Sequence, residues 1–449
     1  MKTYFLQFKV VPTADNEHFQ LAEGALAACW VLENDPQTAY EKAAFQVSKY
    51  DWQIVELETP PIEVTKEHFV ERDIGLEQYN KAQNDGLAIY YAAWARDKKT
   101  TAGPIIMNSS YRPDISVLLE KQKKLNKSGR CLHYDGGHRC REIIKAHSIQ
   151  RNQMLSMISQ DGNVYVLSSN MSTLNKSKGF PKYEKKNINN VSTFLGFCKH
   201  HDNTLFEPID NFPLHPTDHQ VLLYAYRSLC REMFVKENVL SLLEHQVSNT
   251  DHKFVRKYME DYRSGTEFGL NNLKQHKVLY DESLKAKSYC DIRYALFISK
   301  AKPTIAFSGL FYPEFDFMGR QVQDLANHKE RLELITFCSS PMEYGWGFLF
   351  SWHHTSSRIC TGFMRSLATK LYDGNKISDL LFRMVISNCE NHAISPEWWE
   401  KLPENDHQLI TARVSSMVSS FSITRPTYLS EGLEGISDWH FDSVLSNME

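Results

Sequence analysis

The chain of 449 residues is long enough for several domains, and its 42% hydrophobic and 23% charged residues are ordinary for a soluble globular protein. No apolar run is long enough to cross a bilayer, the N-terminal residues lack the apolar stretch of a secretory signal peptide, and the nine cysteines are not spaced as in small disulfide scaffolds. We therefore expect a cytoplasmic protein with reduced thiols, no membrane association and an α+β, multidomain fold.

The net charge of −3 conceals an uneven distribution of charged residues along the chain. Residues 116–202 contain fifteen Lys and Arg but six Asp and Glu, whereas the remainder contains 36 basic and 48 acidic residues. A basic region confined to one segment is typical of binding to a phosphate backbone, although a solvated surface without a partner is the alternative. We expect a nucleic-acid partner, DNA ahead of RNA, with phosphate contacts from these six residues: Lys123, Lys124, Lys127, Arg139, Arg141 and Lys145.

Residues 1–97 are predicted to form a βαβ-like α+β domain that serves recognition or assembly. The segments YFLQFKV, AACWVLEN and WQIVELE have the character of strands, and PQTAYEKAAFQVSKY that of a helix. Asp35 is a suitable N-cap for this helix, and Pro36 suits its first position. Because the domain has no glycine-rich phosphate loop, we expect it to contact a protein partner.

Three further regions follow along the chain. Residues 98–129 are predicted to be a linker and a basic helix, ISVLLEKQKKLNKSGR, and residues 130–212 a metal-binding module interrupted by a polar, lysine-rich loop. Residues 213–449 are predicted to form a C-terminal α+β domain in the order helix, sheet, helix, which offers a second surface for a protein partner. Within it, His353 and His354 are interpreted as structural, since adjacent residues of a strand point to opposite faces.

The module contains two groups of metal-binding residue types, CLHYDGGHRCREIIKAHSIQ from residue 131 and FCKHHD from residue 197. A structural zinc ion requires four Cys and His ligands in a tetrahedron. Cys131 and Cys140 supply one predicted half-site. Cys198 and His201 supply the other, as a C-x2-H pair that suits the first turn of a helix. The C-x8-C spacing of the first half-site is loose, so His133 or His138 is an alternative to one of its cysteines.

The order of a cysteine pair, the predicted β-hairpin REIIKAHSI and a C-x2-H pair that leads into a helix resembles the treble-clef zinc fingers. Within that group, Ala146-His147-Ser148-Ile149 resembles the motif of HNH-type nucleases, over about 80 of the 449 residues. The resemblance implies a ββα-metal module with a structural Zn²⁺. It also implies that His147 is the general base, and that Asp202, in the helix, binds a catalytic Mg²⁺ or Mn²⁺.

The resemblance therefore implies a metal-dependent nuclease, of the kind found in bacterial restriction and anti-phage defence. One feature departs from the family pattern, because an asparagine normally precedes the second metal half-site by a few residues. Here Ser192 and Thr193 occupy that region, and Asn189 and Asn190 lie further upstream. The alternative function is therefore a catalytically inactive adaptor, in which the zinc ion only supports a component of a multi-protein complex.

Overall fold

The computed structural model describes residues 1–69, 73–95, 105–106, 115–168, 182–249, 253–418 and 424–448. The described residues form two compact units: the first takes residues 1–119 and 243–265, and the second takes 120–168, 182–242 and 266–449. Helices and sheets occur in both, which confirms a mixed α+β, multidomain fold. Most of the predicted linker and most of the lysine-rich loop lie outside the described residues.

The first unit contains a five-stranded sheet with the order β3-β1-β2-β4-β5. Both β2 and β3 run antiparallel to β1, so β2, α1 and β3 form a crossover between two parallel strands with β1 lying between them. The elements are β1 (Lys2–Pro12), β2 (Ala22–Glu33), α1 (Pro36–Lys49), β3 (Trp52–Val64), α2 (Asp73–Asp85), β4 (Leu87–Ala95) and β5 (Ile105–Ile106).

Helix α1 begins as the sequence predicts. The Asp35 side chain accepts a hydrogen bond of 2.9 Å from the backbone N–H of Thr38, and Pro36 is the first helical residue. Its buried residues, Ala39, Ala43 and Val47, recur at the spacing of one helix face and belong to the core that the sheet also lines. The N-cap and the apolar stripe together explain why this segment is helical.

The elements that follow along the chain are α3 (Ile115–Lys127), β6 (Ile143–His147), α4 (Ser156–Ile158), β7 (Asn163–Ser168), β8 (Lys182–Asn187), β9 (Thr193–Cys198), α5 (Lys199–Asp210), α6 (Asp218–Ser248), α7 (Lys253–Ala286), β10 (Ile292–Ser299), β11 (Ile305–Phe311), β12 (Ile335–Pro341), β13 (Trp346–His353), α8 (Ser357–Tyr372), α9 (Ile377–Asn388), β14 (His392–Ile394), α10 (Pro396–Trp399), α11 (Glu404–Val418) and β15 (Ser443–Ser446). Among the described residues, no helix is both long enough and apolar enough to span a membrane.

The second unit is built on an eight-stranded antiparallel sheet with the order β15-β10-β13-β12-β11-β14-β7-β8. Strands β7 and β8 come from the predicted metal-binding module, and β14 joins them to the C-terminal strands through the pairs Ala393↔Val166 and Ile394↔Tyr165. The compact units therefore differ from the predicted division into 130–212 and 213–449, because strand pairing and a shared core join the two regions.

The remaining strands, β6 and β9, form a separate two-stranded sheet that leads directly into α5. The insertion between β6 and β9 carries α4 and the two strands that extend the large sheet. Helix α6 runs past this region with every residue from 220 to 230 buried, so it forms part of the core on which α5 packs. The fold thus places a strand pair and a helix N-terminus beside a rigid, largely apolar framework.

Candidate metal centre and its surroundings

Cys131 and Cys140 lie at the two ends of a tight loop that precedes β6. A Cβ atom at Gly136 would lie 2.7 Å from the Cys131 carbonyl oxygen, and Gly137 has a φ of +94°, so both positions favour glycine. The backbone N–H of Leu132 donates a hydrogen bond of 2.8 Å to the Gly196 carbonyl, which fixes the loop against β9. The loop therefore returns the second cysteine to the first.

Cys198 and His201 are positioned by the junction between β9 and α5. Cys198 is the last residue of β9 and the N-cap of α5, and it pairs with Ile143 of β6. The backbone N–H of Lys199 donates a hydrogen bond of 2.8 Å to the Glu142 carbonyl, which ties the start of the helix to β6. His201 follows within the first turn and is buried, as the C-x2-H spacing predicts.

The four side chains converge on one point. The Nδ1 atom of His201 lies 3.4 Å from the Sγ of Cys131, 3.5 Å from that of Cys140 and 3.4 Å from that of Cys198. In a tetrahedral zinc site with ordinary bond lengths, a nitrogen and a sulfur ligand are separated by about 3.6 Å. All four ligand atoms lie within 4.8 Å of one another, so the cluster can hold a metal ion and is compatible with zinc.

The electrostatics of the cysteines also suit a cation. Burial raises the pKa of the Cys131 thiol to about 11, so a neighbouring positive charge is required to keep it as a thiolate at neutral pH. Burial acts in the same direction on Cys198, but the backbone N–H groups of His201 and Arg141 lower its pKa overall. The N–H of Gly137 also donates to the Sγ of Cys140 at 3.2 Å. Such N–H donors stabilise thiolate ligands.

The two alternative histidine ligands lie outside this cluster. The ring of His133 stacks on that of His201, with centroids 4.0 Å apart and planes at 2°, and its Nδ1 accepts a hydrogen bond from the Asp135 N–H. His138 is exposed, and its Nδ1 lies 3.0 Å from a carboxylate oxygen of Asp135. His133 thus orients the ligand ring, whereas His138 pairs with a surface acid.

His147 is the last residue of β6, on the strand that also supports the metal cluster. Its Nε2 lies 3.4 Å from the Ile188 carbonyl oxygen, and in the tautomer that donates this hydrogen bond Nδ1 is an acceptor. Burial lowers the pKa of His147, so the ring is neutral at cellular pH. A neutral, partly exposed imidazole can accept a proton from water.

The segment after His147 is held by hydroxyl and amide groups. Ser192, with a φ of +57°, lies 2.6 Å through its Oγ from the Oγ of Ser148 and accepts from the Ile149 N–H at 3.1 Å. Asn391 donates a hydrogen bond of 2.9 Å to the same Ser148 hydroxyl. The side-chain oxygen of Asn189 instead accepts a hydrogen bond of 3.4 Å from the Arg151 guanidinium. Ser192 and Asn391, which is distant in sequence, thus anchor the segment that follows His147.

Asp202 lies beside an ion pair between the buried Arg227 and the partly exposed Asp210. Arg227 donates to both carboxylate oxygens of Asp210, at 2.7 and 2.6 Å, and its guanidinium stacks 4.1 Å from the Phe206 ring centroid. Burial raises the pKa of Asp202, while the charge of Arg227 opposes that shift. The Oδ1 of Asp202 is buried and has no hydrogen-bond partner among the described residues.

More unsatisfied polar atoms lie around the same ion pair. Within the described part of the chain, the Nε of Arg227 is buried without a hydrogen-bond partner, and the buried side-chain polar atoms of Gln150 and the Tyr224 hydroxyl have no partner beyond each other. Tyr224 is close enough to Gln150, Arg227 and Asp210 for each to influence its pKa, which burial raises. Sequence reasoning did not single out these residues, because glutamine, tyrosine and arginine have no spacing signature for such a cluster.

Two groups of three or more metal-ligating residue types bring their ligand atoms within 4.8 Å of one another in the described residues. One is the Cys131, Cys140, Cys198 and His201 cluster, and the other contains Asp291, His353 and His354. Neither group includes His147 or Asp202. A magnesium or manganese ion near Asp202 would therefore depend on one protein carboxylate, together with water and phosphate oxygens, which is a common arrangement for Mg²⁺.

The predicted phosphate-binding side chains are all exposed. Lys123, Lys124 and Lys127 lie on α3, Lys145 is on β6, and Arg139 and Arg141 flank Cys140. Lys124 also forms an ion pair of 2.8 Å with Glu120. These positions leave the cationic groups available to a ligand, and the two arginines lie closest in sequence to the metal cluster.

Comparison of the chain with protein-family models, with curated proteins and with solved structures finds no match.

Proposed function

We propose that this protein is a zinc-stabilised, HNH-like nucleic-acid-binding protein and a metal-dependent nuclease. The observation that carries the proposal is the convergence of Cys131, Cys140, Cys198 and His201 where β6 and β9 meet α5, with His147 at the end of β6. A structural zinc ion there would hold the two strands and the helix in a ββα arrangement. His147, at the end of β6, would then have a fixed position relative to α5.

The proposed chemistry at His147 is general base catalysis. The neutral ring takes a proton from water as the water oxygen bonds to phosphorus. The bond from phosphorus to the leaving oxygen breaks, and that oxygen leaves with the electron pair and takes a proton from solvent to form the alcohol. The hydrogen bond from Nε2 to the Ile188 carbonyl fixes the ring and leaves Nδ1 to receive the proton. The buried surroundings keep the ring unprotonated.

Asp202 is the residue that would hold a catalytic Mg²⁺ or Mn²⁺, because its buried Oδ1 has no other hydrogen-bond partner among the described residues. A divalent ion would supply positive charge to the phosphate oxygens when it is bound. Arg227 is committed to Asp210 through two hydrogen bonds, so Asp202 keeps an oxygen for such a ligand. The exposed lysines and arginines would bind the flanking phosphates, with DNA favoured over RNA.

A second candidate function is a zinc-scaffolded adaptor without catalysis. It is favoured by one observation: His147 and Asp202 do not belong to any preformed group of three metal ligands among the described residues. In that case the zinc ion would only stabilise β6, β9 and α5, and the N-terminal unit or the C-terminal region would bind a protein partner. A role in bacterial anti-phage defence is what the resemblance to HNH-type nucleases suggests for the first function.

The two functions are separated by a cleavage assay on wild type, His147→Ala and His138→Ala, with plasmid DNA or RNA and added Mg²⁺ or Mn²⁺. His138 is the matched control, because it is an exposed histidine of the same module. We expect wild type and His138→Ala to cleave, and His147→Ala to lose at least 100-fold in rate while its zinc content is unchanged. Equal zinc with no cleavage by any of the three proteins would contradict the nuclease and support the adaptor.

A further inference from the structure

A second convergence of metal-ligating side chains lies at the end of β13, remote in sequence from the cysteine cluster. His353 is the last residue of the strand, and His354 begins a short 3₁₀ turn. The alternation of side chains between the two faces of the strand therefore ends at His353. The two histidine rings lie near each other, with centroids 4.6 Å apart. The prediction that these histidines point to opposite faces is thus wrong, because the strand ends at His353.

Asp291 joins the two histidines through the backbone pairing of the adjacent strand. His353 pairs with Ile292, and the backbone N–H of His354 donates a hydrogen bond of 2.7 Å to the Asp291 carbonyl. The Asp291 carboxylate lies 3.7 Å from the Nε2 of His354, and one ligand atom from each of the three residues lies within 4.8 Å of the others. In a tetrahedral site with ordinary bond lengths, nitrogen and oxygen ligands are about 3.4 Å apart, so a small side-chain adjustment suffices.

The ring of His353 is held from its other side. Its Nδ1 lies 2.9 Å from the Thr355 hydroxyl and 3.3 Å from the Thr355 N–H. The Thr355 N–H donates to Nδ1, so in the metal-free protein the ring proton is on Nε2. Binding of a metal ion by Nε2 moves that proton to Nδ1, from which it can be donated to the Thr355 hydroxyl. Histidine ligands in metal sites are commonly fixed by such a hydrogen bond from the second ring nitrogen. Arg331 donates to the same hydroxyl at 2.9 Å and so fixes the threonine.

The charges near the three residues set the expected strength of binding. Arg331 and Arg293 both act electrostatically on His353, and the Arg293 guanidinium donates to the Cys290 carbonyl at 2.8 Å. These two positive charges oppose a cation, and Asp291 contributes one compensating negative charge. About half of the surface of the Asp291 and His354 side chains is exposed, at 46% and 47%. An ion at this position would therefore exchange with solvent and bind more weakly than one held by three cysteines.

We propose that Asp291, His353 and His354 form a second metal site, for a divalent transition-metal ion of borderline softness such as Co²⁺, Ni²⁺ or Zn²⁺. Two imidazoles and one carboxylate suit such ions, and three protein ligands leave at least one coordination position for water or a small ligand. The site is distinct from the cysteine cluster and from the proposed nuclease residues. It thus adds a metal-binding property to the proposed function and does not depend on it.

The test is a Co²⁺ titration of protein whose cysteine cluster is first saturated with zinc and which is then dialysed against a weak chelator. Bound cobalt is measured by mass spectrometry after ultrafiltration. We expect wild type to bind one equivalent of Co²⁺, and His354→Ala and Asp291→Asn to bind at least tenfold more weakly. His440→Ala is the matched control, because His440 is another exposed histidine within 4 Å of an aspartate, Asp442, at 3.8 Å.

Both test substitutions are at half-exposed side chains, and circular dichroism checks that each variant is folded. The proposal is supported if only His354→Ala and Asp291→Asn lose cobalt while all variants keep their zinc. Equal cobalt binding by wild type and all three variants would overturn it, as would the absence of saturable binding by wild type. A visible spectrum with intense thiolate-to-cobalt charge transfer would also overturn it, because the cobalt would then occupy the cysteine cluster.

Discussion

The cysteine cluster and the region around His147 and Asp202 lie in the same module but are built differently. In the cluster, four ligand atoms already lie at the separations of a tetrahedral site, and backbone N–H groups face the sulfur atoms. Around Asp202, the polar groups are buried but surround an Arg227–Asp210 ion pair without converging on one point. The first region is therefore arranged to hold a metal ion, whereas the second contains buried polar atoms that lack partners among the described residues.

The largest expected effect comes from removing one ligand of the cysteine cluster. Cys198→Ser removes a thiolate that is also the N-cap of α5, so we expect loss of the metal and unfolding of the strands and helix around it. The metal-linked folding free energy of such sites is on the order of 10 kcal/mol. Metal content and thermal unfolding measure the effect, with Cys290→Ser, an exposed cysteine, as control. Full zinc content in Cys198→Ser would contradict the ligand assignment.

The region around Asp202 is expected to lose stability when its Arg227–Asp210 ion pair is removed. Arg227→Met leaves Asp210, whose side chain is 38% exposed, without its partner, and we expect a loss of about 1–2 kcal/mol in the free energy of unfolding with zinc retained. Urea unfolding followed by tryptophan fluorescence measures this loss. Lys401→Met is the control, since it removes an exposed ion pair with Glu397 and should cost less than about 0.5 kcal/mol. Similar losses in the two variants would contradict this account of the ion pair.

Acidification should weaken the framework that both regions share. His392 on β14 is buried between the Tyr183 hydroxyl and the Cys389 carbonyl, each 2.6 Å away, and burial lowers its pKa to about 4. The unfolded value is about 6.5, so the neutral ring costs nothing above pH 6.5. The free energy of unfolding then falls as the pH drops from 6.5 towards 4, by on the order of 3 kcal/mol.

Chemical unfolding of the zinc-saturated protein at several pH values measures that dependence, and His392→Gln provides the comparison. Glutamine cannot be protonated in this range, so the variant should show a shallower decline between pH 6.5 and 4. An identical decline in wild type and His392→Gln would show that other groups, among them the metal ligands, dominate the acid sensitivity.

The smallest expected effect concerns the exposed basic residues. A plot of log affinity for DNA against log salt concentration has a negative slope. In the double variant Arg141→Ser, Lys145→Ser we expect this slope to become shallower by about 2, that is about 1 for each lost phosphate contact. Zinc content and stability should be unchanged, because both side chains are exposed. Lys274→Ser, an exposed lysine on α7, is the control and should leave the slope unaltered. An unchanged slope in the double variant would remove these residues from the interface.

The cysteine cluster could be predicted because its information is local. A C-x2-H pair at a helix start and a glycine turn between Cys131 and Cys140 fix most of the geometry within short segments. The helix start at Asp35-Pro36 was predicted for the same reason. Whether His133 or His138 replaces either Cys131 or Cys140 as a ligand could be decided only from the structure.

The surroundings of the cluster could not be predicted because they depend on contacts that are distant in sequence. The pairing of β7 with β14 and the hydrogen bond from Asn391 to Ser148 join residues more than 200 positions apart. The ion pair of Arg227 with Asp210 joins two different helices, and the convergence of His353 with His354 depends on where β13 ends. No spacing rule contains this information, since it arises from packing.

The most direct test of the central claim is X-ray absorption at the zinc edge, on the 449-residue chain dialysed against a weak chelator to empty weaker sites. We predict one zinc ion per chain with three sulfur ligands and one nitrogen ligand, at about 2.3 and 2.0–2.1 Å. A site without sulfur ligands, or a folded protein that does not retain zinc, would contradict the assignment of Cys131, Cys140, Cys198 and His201 as a structural zinc centre.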